Sequence, residues 1–264
     1  MDQEVRLDYL IDYLLNEKPN TKKNKAQYKM DTKAEKIALF RKLCNIRYPE
    51  QVTDQFIETQ DAFLTQWNNE QRLTSLNDLE AVQSQLYLWQ GDITGLAVDV
   101  IVNAANSNFI GCMQANHDCI DNIIHTRAGV QLRLDCDAVI KEQGRKEPMG
   151  KAKITKAYNL PSDYVIHTVG PFIDKRGVSP LKEKLLASSY RTCLALADEY
   201  EQETIAFCCI STGEFNFPQQ HAAEIAIQTV KEYLSGTQST LNVIFNVFKD
   251  DDLQIYQTLL SVEE

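Results

Sequence analysis

The chain has 264 residues, 44% of them hydrophobic and 24% charged, with a formal net charge of -10 at pH 7. This length and apolar content suffice for a full hydrophobic core, in one domain with an extension or in two small domains. The acidic balance opposes attraction to nucleic-acid phosphates and no apolar run is long enough to cross a membrane, so we expect a soluble globular protein with neither partner.

Cysteine usage and the first residues bear on the compartment. The seven cysteines are an odd number and are spread along the chain rather than set in a dense framework, which is typical of reduced thiols. The first residues, with Asp2 and Glu4, do not have the cationic and then apolar order of a signal peptide. Both observations predict a cytoplasmic protein.

Residues 1–80 are predicted to form a helical extension, because apolar side chains recur there at helical spacing and no convincing strand pattern appears. The apolar positions are Val5, Leu7, Leu10, Ile11 and Leu14; Ile37, Leu39, Phe40 and Leu43; and Phe56, Phe63, Leu64 and Trp67. The basic stretch at residues 18–25 contains Pro19 and two asparagines, which favours a solvated loop between helices. We expect the apolar helix faces to dock on the rest of the protein, since they would otherwise be exposed. A role at the substrate mouth or in binding a partner protein stays open.

Residues 81–264 are predicted to form an α/β domain, because short apolar runs alternate there with helical segments. The predicted strands are residues 85–89, 98–102, 152–158, 164–169, 204–210 and 241–247. One helix is predicted to begin near Cys119, with Asp118 as N-cap, and a second, with Leu132, Cys136, Val139 and Ile140 on one face, is predicted to end at Gly144. Further helices are predicted at residues 179–200, 219–234 and 252–260.

Three polar segments directly follow predicted strands. Residues 91–94 read Gly-Asp-Ile-Thr, residues 103–106 read Asn-Ala-Ala-Asn, and residues 211–217 read Ser-Thr-Gly-Glu-Phe-Asn-Phe. Ligands of open α/β sheets bind beyond the carboxyl ends of the strands. The three segments therefore predict one shared pocket.

Taken singly, each segment also fits a simpler interpretation. Asp92 fits a turn residue, and Asn103 and Asn106 fit turn-forming side chains. Gly213 fits a position that needs a positive φ angle. The three segments in this order are harder to explain as independent turns.

The segment from residue 111 to residue 122 contains two thiols, an imidazole and carboxylates close together. It reads Gly-Cys-Met-Gln-Ala-Asn-His-Asp-Cys-Ile-Asp-Asn. Cys112, His117 and Cys119 can converge on one ion, and a zinc held by three protein ligands keeps a fourth position for water or substrate. Two alternatives stay open. The loop can hold no metal, or a structural zinc can be closed by a fourth ligand from Asp118 or Asp121.

The three segments together resemble the motifs of macrodomains, the ADP-ribose-binding fold. The matching residues are Gly-Asp-Ile-Thr at 91–94, Val-Ile-Val-Asn-Ala-Ala-Asn at 100–106 and Ile-Ser-Thr-Gly at 210–213, and the resemblance covers about residues 84–262. The Cys and His segment is similar to the zinc-dependent macrodomains of bacteria and fungi, including those associated with a sirtuin-type ADP-ribosyltransferase. The wider family has a glycine-rich loop at this point. The resemblance implies a three-layer α/β/α fold with a mixed central sheet, and one zinc ion per chain.

The resemblance also implies how ADP-ribose would bind. Asp92 would accept a hydrogen bond from the adenine amino group, with Ile93 beside it. Gly213 and Glu214 would present backbone N–H groups to the diphosphate, together with Phe215. Either Phe215 or Phe217 would cover the distal ribose, and the helix beginning near Cys119 would point its positive end at the same mouth. An acidic protein can thus bind an anion by local geometry.

Two further groups of residues follow from the resemblance. Asn106 would hold the distal ribose and Asp121 would act in catalysis, either on water or beside the metal. Asn103, Ser211 and Thr212 would belong to the substrate-binding set. A carboxylate in the first turn of a helix can also simply complement the helix dipole, which is the other interpretation of Asp121.

The remaining cysteines and histidines are interpreted as structural. Cys136 and Cys193 fall on helical faces, and Cys208 and Cys209 lie in a predicted apolar strand, where a reduced cysteine behaves as a small hydrophobe. His167 lies inside a predicted strand and is expected to be a satisfied core residue. His125 is expected to pack behind the site.

These observations favour a zinc-dependent hydrolase that removes mono-ADP-ribose from aspartate or glutamate side chains of a modified protein. Family analogy suggests a lipoylated carrier as the modified protein. The main alternative is a non-catalytic reader module with a structural zinc, which binds ADP-ribose without turning it over. A zinc nucleoside deaminase is disfavoured, because its His-x-Glu and Pro-Cys-x-x-Cys pattern is absent.

Overall fold

A computed structural model describes residues 1–17, 28 and 30–261. The basic stretch at residues 18–25 lies outside the described residues, so its predicted loop stays a prediction. The helices are α1 Gln3–Asn16, α2 Lys33–Ile46, α3 Asp54–Asn69, α4 Ile120–Ala128, α5 Val130–Gln143, α6 Pro180–Glu199, α7 Gln219–Thr237 and α8 Asp250–Ser261. The strands are β1 Thr74–Ser75, β2 Ala81–Gln83, β3 Leu86–Gln90, β4 Leu96–Ala97, β5 Val100–Ala104, β6 Ala152–Lys156, β7 Tyr164–Thr168, β8 Thr204–Phe207 and β9 Asn242–Val247. In these described ranges, no helix is both long and apolar enough to cross a membrane.

The N-terminal extension is helical, as predicted. Side-chain caps start its helices: Asp2 accepts the N–H of Val5 in α1, and Thr32 forms a reciprocal capping box with Glu35 in α2. The predicted apolar positions of the three helices, except for the exposed Val5, pack on one another and form a core of their own, to which the α/β domain contributes Val130. The helices α1 to α3 are therefore a small folded unit rather than three separately docked segments.

A mixed sheet of seven strands forms the centre of the α/β domain, in the order β2-β3-β9-β8-β5-β7-β6. The five inner strands, β3, β9, β8, β5 and β7, run parallel to one another, whereas β2 and β6 pair antiparallel at the two edges. The helices α6, α7 and α8 pack side by side, and α4 packs with α5. These helices cover the sheet in a three-layer α/β/α fold, which agrees with the predicted fold class.

The extension docks on the α/β domain, and Val130 of that domain packs in the apolar core of the extension. Hydrogen bonds from buried polar side chains also cross the seam between the two parts. Gln60 accepts the N–H of Val130 at 3.0 Å, and Asn68 donates to the carbonyls of Arg127 and Asn159. The apolar faces are already used inside the extension, so polar side chains remain for the seam.

Element boundaries differ from the sequence-based expectations by a few residues, and three of the differences change the assignment of a residue or an element. Helix α4 begins at Ile120, and its N-cap is Cys119 rather than Asp118. Strand β8 ends at Phe207, so the pair at 208–209 lies after the strand and not within it. The stretch at 74–75, inside the predicted helical extension, pairs with β4 as a two-residue strand, too short to leave a period-two pattern.

Candidate functional site

A cavity of about 700 Å³ lies beyond the carboxyl ends of the parallel strands. Segments that follow β5, β8 and β9 line it, together with the loop at residues 111–119, which we call the ligand loop. The predicted site residues that line it are Asn106, Cys112, His117, Cys119, Asp121, Ser211, Thr212, Gly213, Glu214 and Phe215. The structure therefore brings two of the three predicted segments and the cysteine loop into one pocket.

Cys112, His117 and Cys119 form the ligand cluster, which lies on the cavity wall. Their ligand atoms all lie within 4.8 Å of one another, and each residue is half-buried. The Sγ atom of Cys112 is 3.4 Å from Nδ1 of His117. Burial raises the pKa of the Cys119 thiol to about 12, so a bound cation is needed to hold it as a thiolate.

The ligand cluster fits zinc in its donors. Two sulfurs and one imidazole nitrogen are a set that zinc prefers, and the group of atoms within 4.8 Å contains neither Asp118 nor Asp121. Because the three residues line the cavity, a fourth position would face it. The other ring nitrogen of His117, Nε2, lies 3.7 Å from the carboxylate of Glu214. A carboxylate at this nitrogen is a common partner of a metal-binding histidine.

Asp121 is a buried carboxyl group at the edge of the cavity. Its side chain accepts hydrogen bonds from Asn103 at 2.8 Å and from Asn106 at 3.3 Å. Burial raises the pKa of Asp121 to about 6, although both amide hydrogen bonds and the charge of Arg133 oppose the rise. Its position in the first turn of α4 is compatible with the dipole interpretation, but two dedicated amide donors indicate a fixed functional orientation.

The two asparagines of the 103–106 segment differ in position. Asn103 is fully buried and does not line the cavity; it donates to Asp121 and to Nδ1 of His167. Asn106 lines the cavity and its Oδ1 accepts the N–H of Asn108, which is the turn bond of the simpler interpretation. The structure thus gives Asn103 a supporting contact behind Asp121, while its predicted contact with substrate stays a prediction.

The loop after β8 supplies backbone donors to the cavity. In the described ranges, the N–H groups of Gly213, Glu214 and Phe215 donate no hydrogen bond to another protein group. Gly213 does not have the positive φ angle of the simpler interpretation; Ser211 has one instead, with φ at 68°. Three successive free N–H groups at a cavity are suited to an anion.

Close approach explains the glycine at position 170. A Cβ atom there would lie 2.0 Å from Oγ of Ser211 and 2.7 Å from a methyl group of Ile210. By contrast, a Cβ atom at Gly213 would meet nothing within 4 Å. The loop after β8 is therefore held against Gly170 at its start and is open at its centre.

The aromatic residues of this loop divide between core and cavity. Phe217 is 1% exposed and belongs to the hydrophobic core, whereas Phe215 is half-buried and lines the cavity. Phe215 is thus the one of the two that is placed to cover a ribose. Its ring packs edge-on against Phe172 at 5.9 Å.

Sequence reasoning missed the cavity wall after β9. Asn246, Phe248, Lys249 and Asp252 line the cavity there, and Phe248 is 70% exposed. A large apolar ring left exposed beside a cavity is an available stacking surface. The signal in the sequence was an isolated phenylalanine directly after an apolar strand.

Asp92 and Ile93 are not among the cavity-lining residues. Asp92 is half-buried and its carboxylate accepts the N–H and the hydroxyl of Thr94, which caps a single 3₁₀ turn at Ile93–Gly95. Ile93 is 3% exposed and packs in the core. The adenine contact assigned to these two residues by resemblance stays a prediction.

A second group, His125, Cys136 and His167, also has its ligand atoms within 4.8 Å of one another, and we call it the buried cluster. His167 is satisfied, as predicted: Asn103 donates to its Nδ1, and its Nε2 lies 2.9 Å from the hydroxyl of Thr155. His125 packs behind the site, also as predicted, with its Nε2 3.6 Å from a carboxylate oxygen of Asp121. Burial lowers the pKa of both imidazoles, so both are neutral.

Comparison with known proteins agrees with this geometry. The Macro domain family matches residues 102–226. A Staphylococcus aureus (strain MSSA476) protein named protein-ADP-ribose hydrolase is 57% identical over 220 residues, covering 83% of this chain and 82% of its own. A Treponema medium protein of the same name is 48% identical over 235 residues, covering 88% and 90%. The Trypanosoma brucei macrodomain in complex with ADP-ribose superposes with a TM-score of 0.65 at 26% identity, covering 80% of this chain and 92% of that one.

Proposed function

The chain belongs to the macrodomain family, and from this membership and its site we propose that it is a hydrolase that releases ADP-ribose from modified proteins. Two relatives named protein-ADP-ribose hydrolase are 57% and 48% identical to this chain, and the alignments cover most of their length. The cavity of about 700 Å³ has the size of a nucleotide-binding pocket. Both observations support ADP-ribose as the bound part of the substrate.

One observation carries the catalytic part of the proposal: the ligand cluster and Asp121 open on the same cavity. A reader module needs the phosphate-binding loop and an aromatic surface, and a structural zinc in a reader would not need to lie on the cavity wall beside a buried carboxyl group. The reader is therefore the weaker candidate.

We propose that Cys112, His117 and Cys119 hold one zinc ion per chain. Zinc bound there would supply Lewis-acid catalysis at the end of the cavity. The ligand set supports zinc because its donors are soft, and because the group leaves out both nearby aspartates, Asp118 and Asp121. Asp121 is thus left for a role of its own.

The residues of the chain itself would position the substrate and move a proton. The N–H groups of Gly213, Glu214 and Phe215 would hold the diphosphate, and Asn106 would orient the distal ribose beside Asp121. The carboxylate of Asp121 would orient a water molecule or accept its proton, with Asn103 fixing one oxygen from behind. Water and the ester then yield ADP-ribose and the free carboxylic acid of the protein.

The proposed substrate is an ester of the distal ribose with an aspartate or glutamate side chain. Such an ester breaks at the anomeric carbon or at the acyl carbon, and oxygen-18 water distinguishes the two. Attack at the anomeric carbon labels ADP-ribose, and attack at the acyl carbon labels the released carboxylate. No contact of the described residues selects a lipoylated carrier, which stays a prediction, as does the cytoplasmic compartment.

The test measures zinc stoichiometry on freshly purified protein, together with release of ADP-ribose from an aspartate- or glutamate-modified protein before and after chelation. About one zinc per chain with chelator-sensitive release is the expected result. Binding of ADP-ribose without release would support the reader instead. Release of ADP-ribose after complete removal of zinc would agree with the proposed hydrolase activity and contradict the proposed zinc dependence.

A further inference from the structure

We infer that the N-terminal extension is part of the metal site, because Arg41 and Asn45 on α2 act as positioning residues for the ligand loop. This inference rests on the zinc site proposed above. It assigns a role to a region that lies outside the matched Macro domain residues 102–226. The ligand loop lies between β5 and α4 and contains no helix or strand, so its shape depends on side chains from outside it.

Arg41 joins the ligand loop to α4 with one planar group. Its Nη2 donates to the carbonyl of His117 at 2.6 Å, and its Nε donates to Oδ1 of Asn122 at 3.0 Å. The same His117 carbonyl also accepts the N–H of Cys119 at 3.1 Å. Arg41 therefore fixes the backbone that lies between two of the three ligands. Only a guanidinium presents two such donors in a rigid fork.

Asn45 holds the residue immediately before the histidine ligand. It is 1% exposed; its Oδ1 accepts the N–H of Asn116 at 2.9 Å, and its Nδ2 donates to the hydroxyl of Thr126 on α4 at 3.1 Å. Asn116 has a φ angle of 53°, in the left-handed region. Such a conformation is retained when surrounding contacts define it. Asn45 supplies that contact and sets the direction in which His117 leaves the backbone.

Asn122 closes the network from the other side. Its Nδ2 donates to the carbonyl of Gln114 at 3.0 Å, while its Oδ1 accepts from Arg41. The backbone is thus held at residues 114, 116 and 117 by side chains of α2 and α4. Because these contacts reach the loop backbone and not the ligand atoms, they act through the ligands and have no place in the chemical step.

The seam also offers a matched control. Asn68 on α3 is as buried as Asn45, at 1% exposed, and also bridges the extension to the α/β domain with its amide group. Its acceptors are the carbonyls of Arg127 and Asn159, outside the ligand loop. Asn68→Ala should therefore weaken the seam without altering the ligands. Asn45→Ala should weaken the seam and release Asn116 as well.

The experiment loads full-length protein with zinc and measures the rate at which a chromophoric chelator removes it. Loss of contacts around metal ligands typically weakens metal binding by about 10- to 100-fold. We expect zinc loss to accelerate by that factor in Arg41→Gln and Asn45→Ala and to stay near the wild-type rate in Asn68→Ala. Arg41→Lys keeps the charge but cannot reach both acceptors at once, so its rate of zinc loss should fall between those of the wild type and Arg41→Gln. Melting temperature and ADP-ribose binding are measured alongside.

Each outcome has one meaning. Wild-type protein that holds no zinc would overturn the proposed metal site, and this inference with it. Two results would overturn this inference alone. In the first, Arg41→Gln and Asn45→Ala lose zinc at the wild-type rate. In the second, Arg41→Gln, Asn45→Ala and Asn68→Ala all lose zinc at the same raised rate. If Arg41→Gln or Asn45→Ala does not fold, Arg41→Lys and Asn45→Asp, which keeps the acceptor for Asn116, provide the comparison with Asn68→Ala.

Discussion

The ligand cluster and the buried cluster have the same chemistry and opposite surroundings. Each combines cysteine and histidine with ligand atoms within 4.8 Å. The ligand cluster is half-buried on a cavity wall, whereas every member of the buried cluster is buried behind it. Residue type and spacing alone therefore do not distinguish a metal site in this protein.

The difference lies in access, since both ring nitrogens of His125 in the buried cluster also have no hydrogen-bond partner among the described residues. In the buried cluster, Asn103 and Thr155 occupy both ring nitrogens of His167, and burial raises the pKa of the Cys136 thiol. In the ligand cluster, Nε2 of His117 faces a carboxylate and Nδ1 faces a sulfur. A metal ion needs an entry path to its ligands, and the ligand cluster offers one because its three residues line the cavity.

Replacing Cys119 by alanine should produce the largest effect. The change removes one of three ligands, so we expect zinc to be lost and turnover to fall by roughly 10³-fold, because metal-ion catalysis supplies several kcal/mol. ADP-ribose binding should weaken much less, since the phosphate-binding N–H groups are unchanged. Zinc content, turnover and ADP-ribose titration on the same sample test this expectation. Equal loss of binding and turnover would indicate a structural ion.

Replacing Asp121 by asparagine should produce the next largest effect on turnover. The change keeps the shape of the side chain but removes the charge that Asn103 and Asn106 hold in place. Loss of a positioned acid or base costs about 10²- to 10⁴-fold, so kcat should fall by that factor while zinc content stays at the wild-type level. A variant that loses zinc instead would make Asp121 a ligand, and its catalytic role would be wrong.

The sequence predicted the fold and the position of the site because both depend on local patterns. Apolar runs marked six of the nine described strands within a few residues. The motifs after β5 and β8 reached one cavity because carboxyl ends of parallel strands share one edge. The wall at Phe248 was missed, since the strand order that brings β9 beside β8 is not written in local sequence.

Burial of polar residues was the other limit. Asn45 and Asn68 lie on helices but are not among the apolar positions that predicted them, and an asparagine is usually exposed, yet both are 1% exposed. Asn103 and Asn106 look alike in a motif, but Asn103 lies within β5 and supports Asp121 from behind, whereas Asn106 follows the strand and lines the cavity. Such distinctions depend on tertiary contacts that no single-segment pattern contains.

Replacing Glu214 by glutamine should sharpen the comparison with a smaller effect. The carboxylate lies 3.7 Å from Nε2 of His117, and its side chain is 73% exposed, so solvent screens much of the interaction. We expect zinc affinity to fall by less than about 10-fold, below the usual range for buried partners of metal ligands. Competition with a chelator of known affinity measures it. Unchanged affinity would mean that Glu214 serves the cavity only through its backbone N–H.

Replacing Cys136 by alanine should have the smallest effect on zinc, and it tests the comparison from the buried side. The thiol lies 3.6 Å from Nε2 of His167 and is fully buried, so its loss leaves a small void and should cost about 1 kcal/mol of unfolding free energy. Zinc content and turnover should equal those of the wild type, because the ligand cluster is untouched. Chemical denaturation and metal analysis measure the two quantities. A wild-type protein with two zinc ions, one of them lost in Cys136→Ala, would show that burial does not exclude metal from the second cluster.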